Sequence, residues 1–167
     1  RCLECTVSIL AARTAKPLAC AKGRINLLSQ MRGYEEIQQQ RRTKRTAILH
    51  LAASVWELTE NSEQGKTVLR EWFAAFPSGG SDSLEDALQN LSEQTGDAGD
   101  SVTRACDELL GWADPADRYQ AMELCLKIAA AGQTIPGKLL EKLREIAGKL
   151  EIPEDRIQGL REKYLAP

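Results

Sequence analysis

Histidine is almost missing from this chain: His50 is the only one among 167 residues. A zinc site, or a nucleophile activated by histidine, therefore lacks a recognisable set of partners. No stretch approaches the roughly 18 to 20 uncharged apolar residues that a membrane crossing needs. The nearest, Thr6 to Ala21, is interrupted by Arg13, Lys16 and Pro17 and has no small-residue cleavage pattern, so it reads as a core helix. No segment alternates apolar and polar residues with β-branched enrichment over strand length, which argues against a sheet. Ser78-Gly79-Gly80-Ser81 lacks the lysine and the preceding strand of a P-loop, so no glycine-rich phosphate cradle is present.

Cysteine is present but unpaired in pattern. Cys2, Cys5, Cys20, Cys106 and Cys125 are odd in number and scattered over a chain long enough to bury a core without bridges. They indicate reduced thiols and a cytoplasmic setting, with the cytoplasmic face of a membrane as its other form. Cys2 and Cys5 form a C-x-x-C, the shape of half a zinc site or of a redox pair. Zinc needs a second pair, and a redox motif opens a helix after a strand; neither context exists here. Two small apolar residues at helical spacing is the plainer reading.

Apolar residues make up 43% and charged residues 28%, the balance of an ordinary globular domain. One all-helical domain spanning 1–167 is expected, with basic N-terminal helices over 1–45 and an acidic helical core over 46–167. The net charge of −2 hides an uneven distribution. Residues 1–50 hold 10 Lys or Arg against 3 Asp or Glu, a balance of +7, and the remainder 12 against 21, a balance of −9. Either two faces attract each other in the fold, or a basic surface awaits an anionic partner.

Apolar residues recur at helical spacing between breaks of proline, glycine and serine. A first helix is predicted from Leu3 to Lys22, bent or broken at Pro17 and ended by Gly23. Asn26 caps a second to Gln39, and Thr43 or Thr46 precedes a third, Ala47 to Thr59, with Ile48, Leu51, Ala52, Val55 and Leu58 on one stripe. Ser62 caps a fourth through Val68, Leu69, Trp72, Phe73 and Phe76. Ser83-Leu84-Glu85-Asp86 resembles a capping box opening a fifth, to Gln94. After a loop over Thr95 to Ser101, a sixth runs from Val102 to Trp112. Asp114-Pro115 is a strong start signal for a helix through Met122, Leu126 and Ile128 to Ala131. Pro136 and Pro153 open two more, giving a compact bundle of about eight or nine short helices.

Within Arg118 to Tyr164, Ala129-Ala130-Ala131, then Ile135, then Leu143-Arg144-Glu145-Ile146-Ala147 follow a helix-turn-helix pattern of small and aliphatic residues. Ile152-Pro153-Glu154 and Tyr164-Leu165 close it with a short turn and helix. This stretch resembles the tellurite-resistance TerB-like helical domains, a group that includes N-terminal domains of DnaJ-like proteins. Leu18 to Asn26 resembles a fainter first copy, and Leu51 to Phe73, turning at Glu60-Asn61, a competing one. The resemblance implies a TerB-like helical fold in a bacterial stress-response or membrane-associated assembly. Family members gather a hard cation with the turn's acids. Here Lys22 stands in the first turn and Gly132 or Gln133 in the second, followed by Pro136-Gly137-Lys138, and a lone amide cannot hold a divalent ion. No metal and no cofactor are expected.

Arg41-Arg42-Thr43-Lys44-Arg45 is the sharpest charged cluster, and Arg41, Arg42, Lys44 and Arg45 are the candidate binding residues. Four cations in five residues suit phosphates or an anionic membrane surface. No aromatic residues interleave to stack bases, so nucleic acid is the lesser candidate; a solvated junction facing the acidic half is the structural alternative. Trp56, Trp72 and Trp112 each lie on an apolar stripe and read as core rather than as a partner groove. His50, between Leu49 and Leu51, reads as structural. A non-enzymatic interaction or adaptor domain is expected, binding a protein partner through a groove between helices or through the basic patch, with no small-molecule substrate. A nucleic-acid-associated helical protein using residues 41–45 is the alternative.

Overall fold

From Glu35 to Arg45 the chain is almost wholly Glu, Gln, Arg and Lys, whose straight side chains lose little freedom in a helix. The structure, a computed structural model, shows what that run does. It describes the backbone of residues 17–76, 83–94, 98–132 and 135–165, and the side chains of 33–76, 83–93, 101–132 and 135–165. The described residues are helical throughout apart from short connections, with no strand. Among the described residues seven helices run in order: α1 (Pro17–Leu58), α2 (Glu63–Ala75), α3 (Leu84–Gln94), α4 (Ala98–Trp112), α5 (Pro115–Ala131), α6 (Gly137–Lys149) and α7 (Glu154–Leu165).

The all-helical class is as expected, and the helix number is a correction. α1 runs without a break through Gly23, Asn26, Thr43 and Thr46, where the sequence suggested two interruptions. A glycine inside a helix costs about 1 kcal/mol relative to alanine, which the good helix formers on either side outweigh. Leu3 to Lys16, the Cys2/Cys5 pair, Ser78 to Ser81, Thr95 to Asp97 and Gln133-Thr134 lie outside the described residues. The chain forms two compact units, residues 1–39 and 40–167. In the first, Tyr34 and Ile37 are exposed. No helix among the described residues is long and apolar enough to cross a membrane.

Local caps set the helix boundaries within the second unit. α1 ends at Leu58, and Glu60 and Asn61 take left-handed backbone with φ of 55°. Ser62 then opens α2, its hydroxyl accepting from the Gly65 N–H at 3.0 Å. At α3, Ser83 Oγ accepts from the Asp86 N–H at 3.1 Å while Asp86 accepts from the Ser83 N–H at 3.4 Å, a reciprocal box with aspartate in the usual glutamate position. Asp114-Pro115 opens α5, and the Asp114 N–H donates to Asp117 at 3.3 Å. α6 closes with the Ile152 N–H on the Ala147 carbonyl at 3.1 Å and the Glu151 N–H on that of Gly148 at 3.2 Å. Glu151 holds the left-handed position of this Schellman turn, with φ of 53°.

α5 carries apolar residues on nearly every side: Ala121, Met122, Leu124, Cys125, Leu126, Ile128 and Ala129 are all buried. Only one stripe, Gln120, Glu123, Lys127 and Ala130, is left to water, so the remaining sides must be covered by other helices. α2, α4, α6 and α7 all pack against it. The stripe of α1 expected from sequence, Ile48, Leu51, Ala52 and Val55, is buried in the same core, with Leu58 at its edge.

Gly65 marks the tightest approach. A Cβ there would lie 2.8 Å from the Ser62 hydroxyl, 3.0 Å from Trp56 Cδ1 and 3.5 Å from Ile128 Cγ2. The indole Nε1–H of Trp56 also donates to the Ser62 carbonyl at 3.0 Å, so α1, the cap of α2 and α5 meet at this residue. Gly65→Ala is expected to destabilise the protein by about 1 to 2 kcal/mol, the overpacking cost exceeding the helical preference of alanine. Denaturant unfolding of the full chain measures this, and unchanged or raised stability would show that the close approach carries no constraint.

Candidate functional site

The basic cluster of α1 is divided by helical geometry. Arg41 and Arg42 are exposed. Lys44 pairs with Asp117 in the first turn of α5, an acid that already closes the Asp114 box. Arg45 lays its guanidinium over the Phe73 ring, 3.5 Å from its centroid, and its Nη2 donates to the Phe73 carbonyl at 3.4 Å. Lys44 and Arg45 thus fasten α1 to α5 and α2, while Arg41 and Arg42 alone of the four face solvent. The attraction between the basic and acidic parts of the chain is realised at Lys44.

The remaining sequence candidates are dispersed. His50 is half-buried in a groove with Ser54, Glu57, Asn61 and Ser92, and burial, assisted by the Arg104 cation, lowers its pKa below the usual imidazole value. It is neutral at physiological pH. Burial pushes the Cys106 thiol up to about 11 and the Cys125 thiol to about 12, so both are protonated and pack as small apolar groups. Trp56 and Trp72 lean on the core as expected. Trp112 does not: it is 70% exposed. The inward stripe of α4 is Val102, Ala105, Cys106 and Leu109; its continuation falls on Ala113, leaving Trp112, the last residue of the helix, beyond the packed layer. At the hairpin between α5 and α6, Ala129 in the last turn of α5 is buried, whereas Ile135 beyond the turn is 39% exposed.

No motif pointed to Glu123. Its carboxylate accepts from the Tyr164 hydroxyl and from Lys163 Nζ at 3.1 Å, with Lys127 Nζ at 3.7 Å, tying α5 to α7. These contacts, led by the tyrosine hydroxyl, hold its carboxyl below the ordinary carboxylate range. Arg118 makes a second tie at the other end of α5, donating to the Leu150 carbonyl at 3.1 Å where α6 exposes its last acceptors.

Between these ties α5, α6 and α7 enclose a cleft of about 120 Å³. Its floor is apolar and buried, made by Met122 and Leu126 of α5, Leu143 and Ala147 of α6, and Ile157 of α7. Leu140, Gly148 and three charged groups, Arg144, Glu154 and Arg161, form the rim. Neither arginine has an ion-pair partner among the described residues. A Cβ added at Gly148 would meet nothing within 4 Å, so the rim is open there. Sequence reasoning anticipated a groove between helices without naming these residues, because their approach is set by three helices at once.

Among the described residues no group of three or more His, Cys, Asp or Glu side chains is gathered as a metal would require. No protein-family model matches the chain, and no curated protein or solved structure matches it either.

Glu123→Gln tests the α5–α7 tie. At pH 7 it is expected to lower stability by about 1 kcal/mol, the worth of a charge-assisted hydrogen bond at a partly exposed site. Because the folded carboxyl is held below its ordinary value of 4.5, the stabilisation is fully present above that pH and is lost as pH falls through the folded value. The gap between wild type and variant should therefore close as denaturation midpoints are followed below pH 4.5. A gap constant with pH would contradict this assignment.

Proposed function

We propose that this chain is a non-enzymatic, TerB-like interaction domain that serves as an adaptor in a bacterial stress-response or membrane-associated assembly, and that the α5–α6–α7 cleft is where it takes a protein partner. One observation carries the reading: an apolar depression whose floor is the hydrophobic core itself, with two arginines at its mouth that have no ion-pair partner among the described residues. A volume of about 120 Å³ is well below the roughly 300 to 1,000 Å³ typical of small-molecule sites, yet enough to receive one anchoring side chain. The resemblance of Leu126 to Leu150 and of Ile152 to Tyr164 to TerB-like domains supports the adaptor role and its setting.

The basic cluster is the weaker working surface. With Lys44 and Arg45 holding helices together, Arg41 and Arg42 are left to offer an anionic membrane or nucleic acid, fewer phosphate contacts than strong electrostatic binding uses.

A benzophenone amino acid placed at Leu140, on the rim, tests the proposal inside cells that make the protein. The expected result is a crosslink to a protein of discrete mass that disappears when Gly148→Leu fills the cleft and persists when Arg41 and Arg42 are both replaced by Gln. A crosslink indifferent to Gly148→Leu, or one abolished by the Arg41 and Arg42 substitutions, would remove the cleft from the function.

A further inference from the structure

The cleft's rim specifies the chemistry of what enters it. Arg144 comes from α6 and Arg161 from α7, so two guanidinium groups on different helices border one apolar opening, and neither is neutralised by an ion pair among the described residues. Each is a planar, permanently charged donor suited to a carboxylate. Glu154, on the same rim, supplies the opposite charge and accepts hydrogen bonds only.

Two cations and one anion around an apolar floor fit a particular ligand: an aliphatic side chain, one carboxylate and one N–H donor on adjoining atoms. We infer that the cleft captures the C-terminal aliphatic residue of a partner protein, its side chain in the cavity, its free carboxylate between Arg144 and Arg161, and its amide N–H toward Glu154. The size agrees: a dry apolar cavity of about 150 Å³ takes a benzene ring, so about 120 Å³ suits a leucine, isoleucine or methionine side chain. An internal acidic stretch would set a second carboxylate against Glu154. A fatty acid would leave Glu154 without a donor and carry more chain than the cavity holds. Of these partner features, the main-chain terminus brings all three groups together, and with them the recognition of a chain end by its carboxylate.

Gly148 supplies the control. It is exposed on the rim with open space where a Cβ would go, and a larger residue there favours the helix while projecting into the opening. Gly148→Leu is therefore expected to close the cleft in a folded protein.

The inference rests on the interaction-domain reading and can fail without it. Amide spectra of the ¹⁵N-labelled full chain are titrated with N-acetyl-leucine, which carries the side chain, the amide and the carboxylate, and with N-acetyl-leucinamide, which lacks only the charge. N-acetyl-leucine is expected to shift the amides of Gly148, Arg144 and Ile157 saturably. The leucinamide should bind at least about tenfold more weakly, the loss expected for a hydrogen-bonded charge. Arg144→Gln with Arg161→Gln should erase the difference between the two probes, and Gly148→Leu should abolish both responses while leaving the remaining spectrum folded. Equal affinity for acid and amide, absence of shifts at the cleft, or decanoate binding more than tenfold tighter than N-acetyl-leucine would overturn the inference. The first two outcomes leave a Gly148-dependent crosslink standing, so partner binding would survive while its C-terminal chemistry fell; tight decanoate would assign the cleft to a lipid chain.

Discussion

The described part of residues 40–167 is arranged around one constraint: α5 is apolar over most of its circumference and leaves only one narrow stripe, Gln120, Glu123, Lys127 and Ala130, to water. With Ala121, Met122, Leu124, Cys125, Leu126, Ile128 and Ala129 all buried, its sides must be covered by other helices, and α2, α4, α6 and α7 supply the cover. The polar contacts that fix these neighbours begin on α5 as well. Asp117 holds Lys44 of α1, Arg118 satisfies the end of α6, and Glu123 binds Tyr164 and Lys163 of α7. Burial provides the driving force, and these few directional contacts select the angle at which each helix settles.

The cleft follows from the same constraint. Its floor is the edge of the core, since Met122 and Leu126 of α5 meet Leu143, Ala147 and Ile157 of the two following helices there. Close-packed interiors deform little, so a depression floored by core residues is held in shape before anything binds. The Schellman turn at Glu151 and the short link to Pro153 return the chain so that α7 packs on α5, as α6 does, which is how Arg144 and Arg161, 17 positions apart in sequence, come to border one opening.

What the sequence revealed was local. Ser62, the Ser83–Asp86 box and the Asp114-Pro115 start are each decided within four residues, and each sits where the pattern placed it. The inward stripe of α1 was equally legible, because helical spacing alone defines it. Glycine misled: Gly23 ends a helix only if the backbone turns left-handed, and nothing in the residue itself decides that against a run of strong helix formers. Trp112 misled for a related reason, since periodicity fixes a side chain's direction but not how far the neighbouring helices extend. The contacts that define the site lay out of reach. Arg45 with Phe73, Glu123 with Tyr164 and Arg118 with Leu150 are separated by 28, 41 and 32 positions, and only the packing of one helix on another brings them together.

Native-state hydrogen exchange across a denaturant series tests the dominance of α5 most directly. If its burial organises the unit, amides from Ala121 to Ala129 exchange only through global unfolding, with the full denaturant dependence of the unfolding transition. Exchange of those amides through a smaller opening, while α2 and α6 stay protected, would contradict a fold built on α5.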